Sequence, residues 1–199
     1  ITEIDDLAPY ELLILPNVAC LDDRLASLVA AYVQQGGKLL ATAETGLCDA
    51  RGRRRNSLAL GDVLGVAYKG RYQRPTCYLE DELEPCPCPS EAATVRATTA
   101  EVLQHLIAPD PDYPNEGTGI DLVPGPTTDH PMLTANRYGH GQAWYLAATL
   151  GKAYYTYGYF RMAHLLEELL CSLDLKQLYQ LDAPKSVEIH LERDEQNTL

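Results

Sequence analysis

Hydrophobic positions change period twice within residues 10–46: an unbroken apolar run, then a stripe at three- and four-residue steps, then a second run. Leu12, Leu13, Ile14 and Leu15 are contiguous, which fits a parallel strand covered on both faces. Pro16-Asn17 ends that strand, because proline has no N–H for a ladder. Asp22 is placed to cap a helix by accepting from one of its free backbone N–H groups. Leu25, Leu28, Val29, Tyr32 and Val33 then mark one helical face. Gly36-Gly37 stops the helix, since glycine tolerates the left-handed conformation found past a helix end. Residues 38–43 resume as a strand. The segment therefore predicts a βαβ unit with parallel strands.

The pattern beyond it is more broken. Residues 44–56 form a polar loop, and 58–64 predict a short helix closed by Gly65. Val66-Ala67-Tyr68 suggests a strand. The proline-rich stretch 85–89 is expected as an exposed loop. A strand near Val95 leads into an ambiguous segment ending at Ile107, and residues 108–131 are expected as a long surface loop. Residues 132–137 and 142–148 predict two strands joined by Tyr138-Gly139-His140-Gly141, whose glycines suit a tight hairpin. Residues 160–175 predict an amphipathic helix with Met162, Leu165, Leu166, Leu169, Leu170 and Leu173 inward. Strands alternating with helices, then a late β-hairpin and a closing helix, predict an α/β fold, a three-layer α/β/α domain on a mostly parallel sheet.

The ends add a domain expectation. Residues 1–181 would be this domain with its first strand missing, since Ile1 is not an initiator methionine and the first residues read as an element already under way. Asp182-Ala183-Pro184-Lys185 reads as a linker. Val187, Ile189 and Leu191 alternate with polar residues like the start of a following strand, so 182–199 would lead into a further β-structure. The expectation is a piece of a longer polypeptide.

Composition narrows the function. The chain has 199 residues, 46% of them hydrophobic, so a folded core is expected. A formal net charge of −12 argues against nucleic acid unless a local basic patch exists. The dense basic run Arg51-Gly52-Arg53-Arg54-Arg55 is expected as a solvated loop. No apolar stretch has the ~18 residues a membrane crossing needs, so no membrane partner is expected. The six cysteines are read as reduced and structural, which suggests a cytoplasmic setting. Cys20 and Cys171 fall in or beside apolar patterns and are expected to act as small core residues. Cys86-Pro87-Cys88 is too tight for a zinc knuckle, and His105, His130 and His190 are scattered, so no metal is expected. No glycine-rich phosphate loop is present, and no cofactor is expected.

LLILPNVACLDDRLASLVAAYVQQGGKLLAT, with Thr45-Gly46 and Asp49 after it, resembles the middle domain of family 42 beta-galactosidases and related glycoside hydrolases, the beta-galactosidase trimerisation domain. NRYGHGQAWYLAATLGKAYYTYG, residues 136–158, is similar to the late hairpin and the approach to the final helix in the same family. The resemblance spans residues 9–192, weakly over 70–130. It implies a flavodoxin-like, class I glutamine amidotransferase-like fold without catalysis. It also implies a homo-oligomer or neighbouring domains as partners, and catalytic carboxylates in a preceding barrel.

An amidotransferase needs a nucleophilic cysteine on a sharp strand-to-helix turn, activated by histidine. The turn after residue 43 offers Glu44 or Thr45 instead. Cys48 lies beyond it in a polar loop, His140 in a hairpin and His164 on the last helix, so no catalytic residue is assigned. Ligands of open α/β sheets bind beyond the carboxyl ends of the strands. That edge should carry Asn17, Glu44, Thr45 and Asp49, which could accept sugar hydroxyls, or Glu44 could sit near a neighbouring active site. The competing assignment is internal: Asn17 satisfies loop backbone and Glu44 pairs with an arginine. Tyr154, Tyr155, Tyr157 and Tyr159 are the interface candidates, with at least two of the four expected to be buried in the domain. The expected function is thus a non-catalytic accessory or oligomerisation domain of a glycoside-hydrolase-like protein. The alternatives are a small-molecule or carbohydrate-binding module, or a hydrolase or amidotransferase using Glu44, Thr45 and Cys48.

Overall fold

The computed structural model describes residues 6–112, 123–176 and 187. Its βαβ unit follows the apolar periods closely: β1 is Leu12–Leu15, α1 is Asp23–Gln34 and β2 is Lys38–Thr42. β1 and β2 are parallel, with Leu12 opposite Lys38 and Leu15 opposite Ala41. Asp22 caps α1 as expected, its Oδ1 accepting from the Leu25 N–H at 2.7 Å. Ala26, Val29, Tyr32 and Val33 of α1 are buried.

The chain continues through α2 (Gly61–Leu64), β3 (Val66–Arg71), β4 (Cys77–Leu79), β5 (Cys86–Cys88), β6 (Ala93–Ala97) and β7 (Glu101–Pro109). Then follow β8 (Pro124–Tyr138), β9 (Gly141–Leu146), α3 (Leu150–Tyr157) and α4 (Phe160–Ser172). Seven strands form one sheet in the order β1-β2-β9-β8-β7-β4-β5, and β3 pairs with β6 in a separate ribbon.

This architecture overturns the expected mostly parallel three-layer α/β/α sandwich, and with it the flavodoxin-like and class I glutamine amidotransferase-like expectation. β1–β2 and β2–β9 are parallel, but β9–β8, β8–β7, β7–β4 and β4–β5 are antiparallel. The sheet is mixed and curls strongly into a half-barrel. From β3 to β9 strand follows strand with no described helix between them, so the described residues build no further βαβ unit. The β7–β8 ladder shifts register at four places. Each such irregularity bends the strand and increases its twist. Pro109, Pro124, Pro126 and Pro131 lie in these two strands, where they remove ladder donors.

Prolines set within strands account for two local corrections. Much of 108–131 is strand rather than surface loop, although residues 113–122 lie outside the described residues. The 85–89 stretch contains β5, whose Cys86 and Cys88 are fully buried. β1 departs from expectation too: it ends the sheet, and Ile14 is 46% exposed rather than covered on both faces.

The hairpin between β8 and β9 is where the sequence places it, and it docks on the end of α1. His140 donates its N–H to the Gln34 carbonyl at 3.0 Å, and Gln142 donates to the Gly37 carbonyl at 3.3 Å. A carbonyl from the last turn of α1, which has no partner inside the helix, is thereby satisfied. The predicted last helix is α4, and an additional helix not expected from the sequence, α3, precedes it. Gly158, left-handed at φ 63°, ends α3 before α4 begins. α4 buries Met162, Leu165 and Leu169, and Leu173 just past its end is also buried, but Leu170 is 38% exposed.

The thiols are redistributed as well. All six are free; Cys77, Cys86 and Cys88 are buried, whereas Cys20 and Cys171, expected in the core, are exposed. The predicted linker and strand at 182–199 lie outside the described residues, Val187 excepted. Among the described residues no helix is long and apolar enough to cross a membrane.

Candidate functional site

Beyond the carboxyl ends of β1 and β2 the chain turns sharply twice. Asn17 and Ala43 both take left-handed backbone, at φ 52° and 47°. Ala43 is buried, and its carbonyl accepts the Tyr145 hydroxyl at 2.7 Å. The sharpest residue of the turn is therefore an inward-facing alanine, with Glu44 next to it.

Three of the four crevice candidates are brought together. Asn17 Oδ1 accepts from the Glu44 N–H at 3.0 Å, while the Asn17 N–H donates to Thr42 Oγ1 at 2.9 Å. Thr45 is fully buried. Its hydroxyl lies 3.0 Å from the Leu15 carbonyl and 2.8 Å from that of Thr42, and accepts from the Val18 N–H at 3.2 Å. These bonds stitch the two strand ends to each other. Asp49 sits apart in the following loop, where Oδ1 accepts from the backbone of Arg51 and Arg53 and Oδ2 from Arg53 Nε at 2.8 Å. The hydrogen bond from the Arg53 backbone leads the effects that hold its carboxyl below the usual range.

Glu44 is the charged centre. Oε1 accepts from the Tyr68 hydroxyl at 2.7 Å and from Arg71 Nε at 3.2 Å, and Oε2 pairs with Arg71 Nη2. The Glu44 side chain is only 13% exposed. Arg54 completes the group: its guanidinium lies 5.5 Å from the Tyr68 ring centre and donates to the Tyr68 hydroxyl at 3.1 Å. Burial works to raise the Glu44 carboxyl, but the hydrogen bonds from Arg71 and Tyr68 outweigh it and hold it below the ordinary range. Burial, then the bond to Glu44, pushes the Tyr68 hydroxyl up to about 12. A carboxylate so firmly ionised is a poor proton donor near neutral pH.

Tyr68, Arg71 and Arg54 were not legible as members of this site. Arg54 lies in the run expected to be solvated, yet the run is put to use. Arg53 pairs with Asp49, Arg54 stacks on Tyr68, and Arg55 bridges to Asp23 at 2.6 Å and to the Leu21 carbonyl at 3.0 Å. Cys48 has backbone duties, bridging to Cys20 and Arg54, and its N–H donates to the Ala19 carbonyl at 2.8 Å. The histidines weighed as its partners sit elsewhere: His140 is in the hairpin whose backbone docks on the end of α1, and His164 meets Glu168 at 3.2 Å on α4. Among the described residues no cluster has the make-up of a metal site.

Glu44→Gln tests this account. The variant is expected to lose about 1 kcal/mol, because a charged acceptor is removed from a partly exposed pair. The Glu44 value is depressed on folding, so its contribution is present above the ordinary carboxylate range and is lost as pH falls through the depressed value. The acid limb of a stability–pH curve should therefore flatten in the variant. The Tyr68 hydroxyl should fall from about 12 toward an ordinary tyrosine, read as tyrosinate absorbance against a Tyr68→Phe control. An unchanged Tyr68 titration would sink the assignment.

The interface candidates follow the end of β9. Tyr155 is 92% exposed, Tyr157 57% and Tyr154 39%, all on α3, and Phe160 at the start of α4 is 68% exposed. Tyr159 is half-buried and meets Phe160 edge-on, with ring centres 5.3 Å apart. None of the four tyrosines is buried, against the two expected. Tyr154, Tyr155 and Tyr157 stand on a short helix whose inner face is filled by Leu150 and Ala153, which leaves their rings outward.

Comparison with known proteins adds the following. Residues 1–168 match the model of a family described as the beta-galactosidase trimerisation domain. Among solved structures, the fold is similar to a catalytic mutant of a GH42 beta-galactosidase from G. stearothermophilus, with a TM-score of 0.63 at 20% identity, covering 87% of this chain and 23% of that one. It is similar to alpha-L-fucosidase isoenzyme 2 from Paenibacillus thiaminolyticus, with a TM-score of 0.64 at 19% identity over 85% of this chain and 26% of that one. A cytoplasmic protein from Salmonella typhimurium LT2 gives 0.55 at 17% identity, over 84% of this chain and 73% of that one. At these identities the likeness is one of fold. This chain spans about a quarter of the length of the two enzymes.

Proposed function

This chain belongs to the beta-galactosidase trimerisation domain family, and on that premise we propose that its α3–α4 aromatic face is where one copy of the protein meets another. The observation that carries the proposal is the exposure of Tyr154, Tyr155, Tyr157 and Phe160 within seven residues of sequence. Large rings with polar tips supply contact area at little entropic cost, and aromatic residues dominate the centres of protein interfaces. The crevice argues for the same accessory role, because Asn17, Glu44 and Thr45 have their polar groups engaged within the domain. We read residues 182–199 as a linker to a following domain, and the parent as a cytoplasmic glycoside hydrolase whose catalytic carboxylates lie in another domain. Stacking of the same rings on a sugar is the alternative occupant.

The test uses the full-length protein. Tyr155→Ser and Tyr157→Ser are expected to weaken subunit association by about 2 kcal/mol each, roughly thirtyfold in Kd, measured by analytical ultracentrifugation. Unchanged association in the double variant overturns the proposal. Unchanged association with loss of oligosaccharide binding would favour the sugar-stacking alternative.

A further inference from the structure

Three cysteines gather where the curled sheet ends. β4 and β5 are its last two strands, antiparallel, with Cys77 opposite Cys88 and Cys86 opposite Leu79. All three thiols are fully buried. Residues directly opposite in an antiparallel pair project from the same face. Pro87 has no N–H, so Tyr78↔Pro87 is the pair without mutual hydrogen bonds. Cys77↔Cys88 is then a hydrogen-bonded pair, for which the Cα spacing is about 5.5 Å. That is near the commonest spacing across a disulfide, about 5.5–6 Å. The Cys77 thiol points to the Cys88 carbonyl at 3.7 Å, and Cys88 Sγ lies 3.2 Å from Ser90 Oγ.

We propose that Cys77 and Cys88 form a reversible dithiol–disulfide couple that locks β4 to β5, oxidised by exchange with a small soluble disulfide such as oxidised glutathione. Cys88 is taken as the attacking thiol, because the Ser90 hydroxyl 3.2 Å from its Sγ can donate to the thiolate as it forms. The Cys88 thiolate attacks one sulfur of the small disulfide, and the other sulfur leaves as a thiolate that takes up a proton. Cys77 then loses its proton to water and attacks Cys88 Sγ, displacing the second small thiol. The protein pair loses two electrons and two protons, and the small disulfide is reduced to two thiols. Access comes through opening of β5, a three-residue strand at the end of the sheet.

The lock bears on the rest of the molecule. The residues linking β4 to β5 carry Asp81 and Glu84, which bind Arg161 of α4. Oxidation would therefore stiffen the anchor of the helix that follows the aromatic α3.

The experiment equilibrates the full-length protein in glutathione buffers of graded redox ratio, quenches by alkylation under denaturing conditions and maps the peptides. Cleavage after Glu80 or Glu82 puts Cys77 and Cys88 on different peptides. The expected result is a Cys77–Cys88 linked peptide that rises with the oxidised fraction, reverts on reduction and accompanies a raised thermal midpoint. In Cys77→Ala the linked peptide should vanish and Cys88 should accumulate as a mixed disulfide with glutathione. Full alkylation of Cys77 and Cys88 at every ratio overturns the proposal, as does a link of either to another cysteine. The wild-type map decides the matter even where the variant folds poorly.

Discussion

Arg161→Met is expected to destabilise the domain by about 3–5 kcal/mol, the largest effect of any single side chain discussed here. The Arg161 and Asp81 side chains are each only 7% exposed. Arg161 Nε donates to Asp81 Oδ2 at 2.7 Å and Nη2 approaches the same oxygen at 2.6 Å. Nη1 reaches Glu84 Oε1 at 2.9 Å, and Nη2 also donates to the Glu84 carbonyl. One guanidinium thus neutralises a buried carboxylate and satisfies the turn between β4 and β5. Methionine keeps much of the apolar stem but abandons Asp81 as an uncompensated charge. Removing both partners leaves none, so Arg161→Met with Asp81→Leu should recover most of the loss. Urea unfolding of the full-length protein measures both. A single-variant loss under about 1 kcal/mol, with no coupling in the cycle, would show that water reaches the pair.

Gly141→Ala should cost about 3 kcal/mol or more, for a reason of space. A Cβ at residue 141 would fall on the carbonyl oxygens of Val33 and Gly37, both backbone atoms that no rotamer change can move. The hairpin would have to lift from the end of α1, breaking the His140–Gln34 and Gln142–Gly37 bonds. Gly151→Ala in α3 is the matched control, since nothing lies within 4 Å of its added Cβ. It should be neutral or stabilising by up to about 1 kcal/mol. Thermal unfolding that gives the two variants the same midpoint would refute the packing account.

The contrast between these glycines marks how far the sequence carries. The βαβ unit, the Asp22 cap and the Gly139–Gly141 hairpin were readable because each is set by neighbours in sequence. The curl was not, because it comes from register shifts between β7 and β8 and from prolines whose usual meaning is a loop. Family resemblance did not repair this; it led to the same parallel layered sheet as the periodicity. Asn17, Glu44 and Thr45 were legible as neighbours, since strand ends in a parallel unit converge. Of their partners, an arginine on Glu44 was expected, but not which arginine. Tyr68 and Arg71 lie 24 and 27 residues beyond Glu44 and carry no local spacing signal; the hint available was a basic run too close to an acidic turn to be left to solvent. Tyr155 faces outward because residues 150–157 form a helix of their own, which the sequence reading did not assign and which Gly158 closes.

α3 has a thermodynamic peculiarity. It is eight residues long, its Thr149 side chain makes no capping bond, and Leu150 and Ala153 are its buried residues. A helix this short has little stability of its own, and its polar ties are gathered at its start, where Lys152 pairs with Glu91 at 2.7 Å and the Thr149 N–H donates to the Glu91 carbonyl at 3.0 Å. The residues proposed to meet a second copy are then expected to be among those that unfold locally with least cost. Contact would order them as it forms, and that ordering opposes part of the gain from burying the rings. In the proposed contact, whatever pre-orders the helix would strengthen association, so the stiffness of α3 would matter there as much as its aromatic surface.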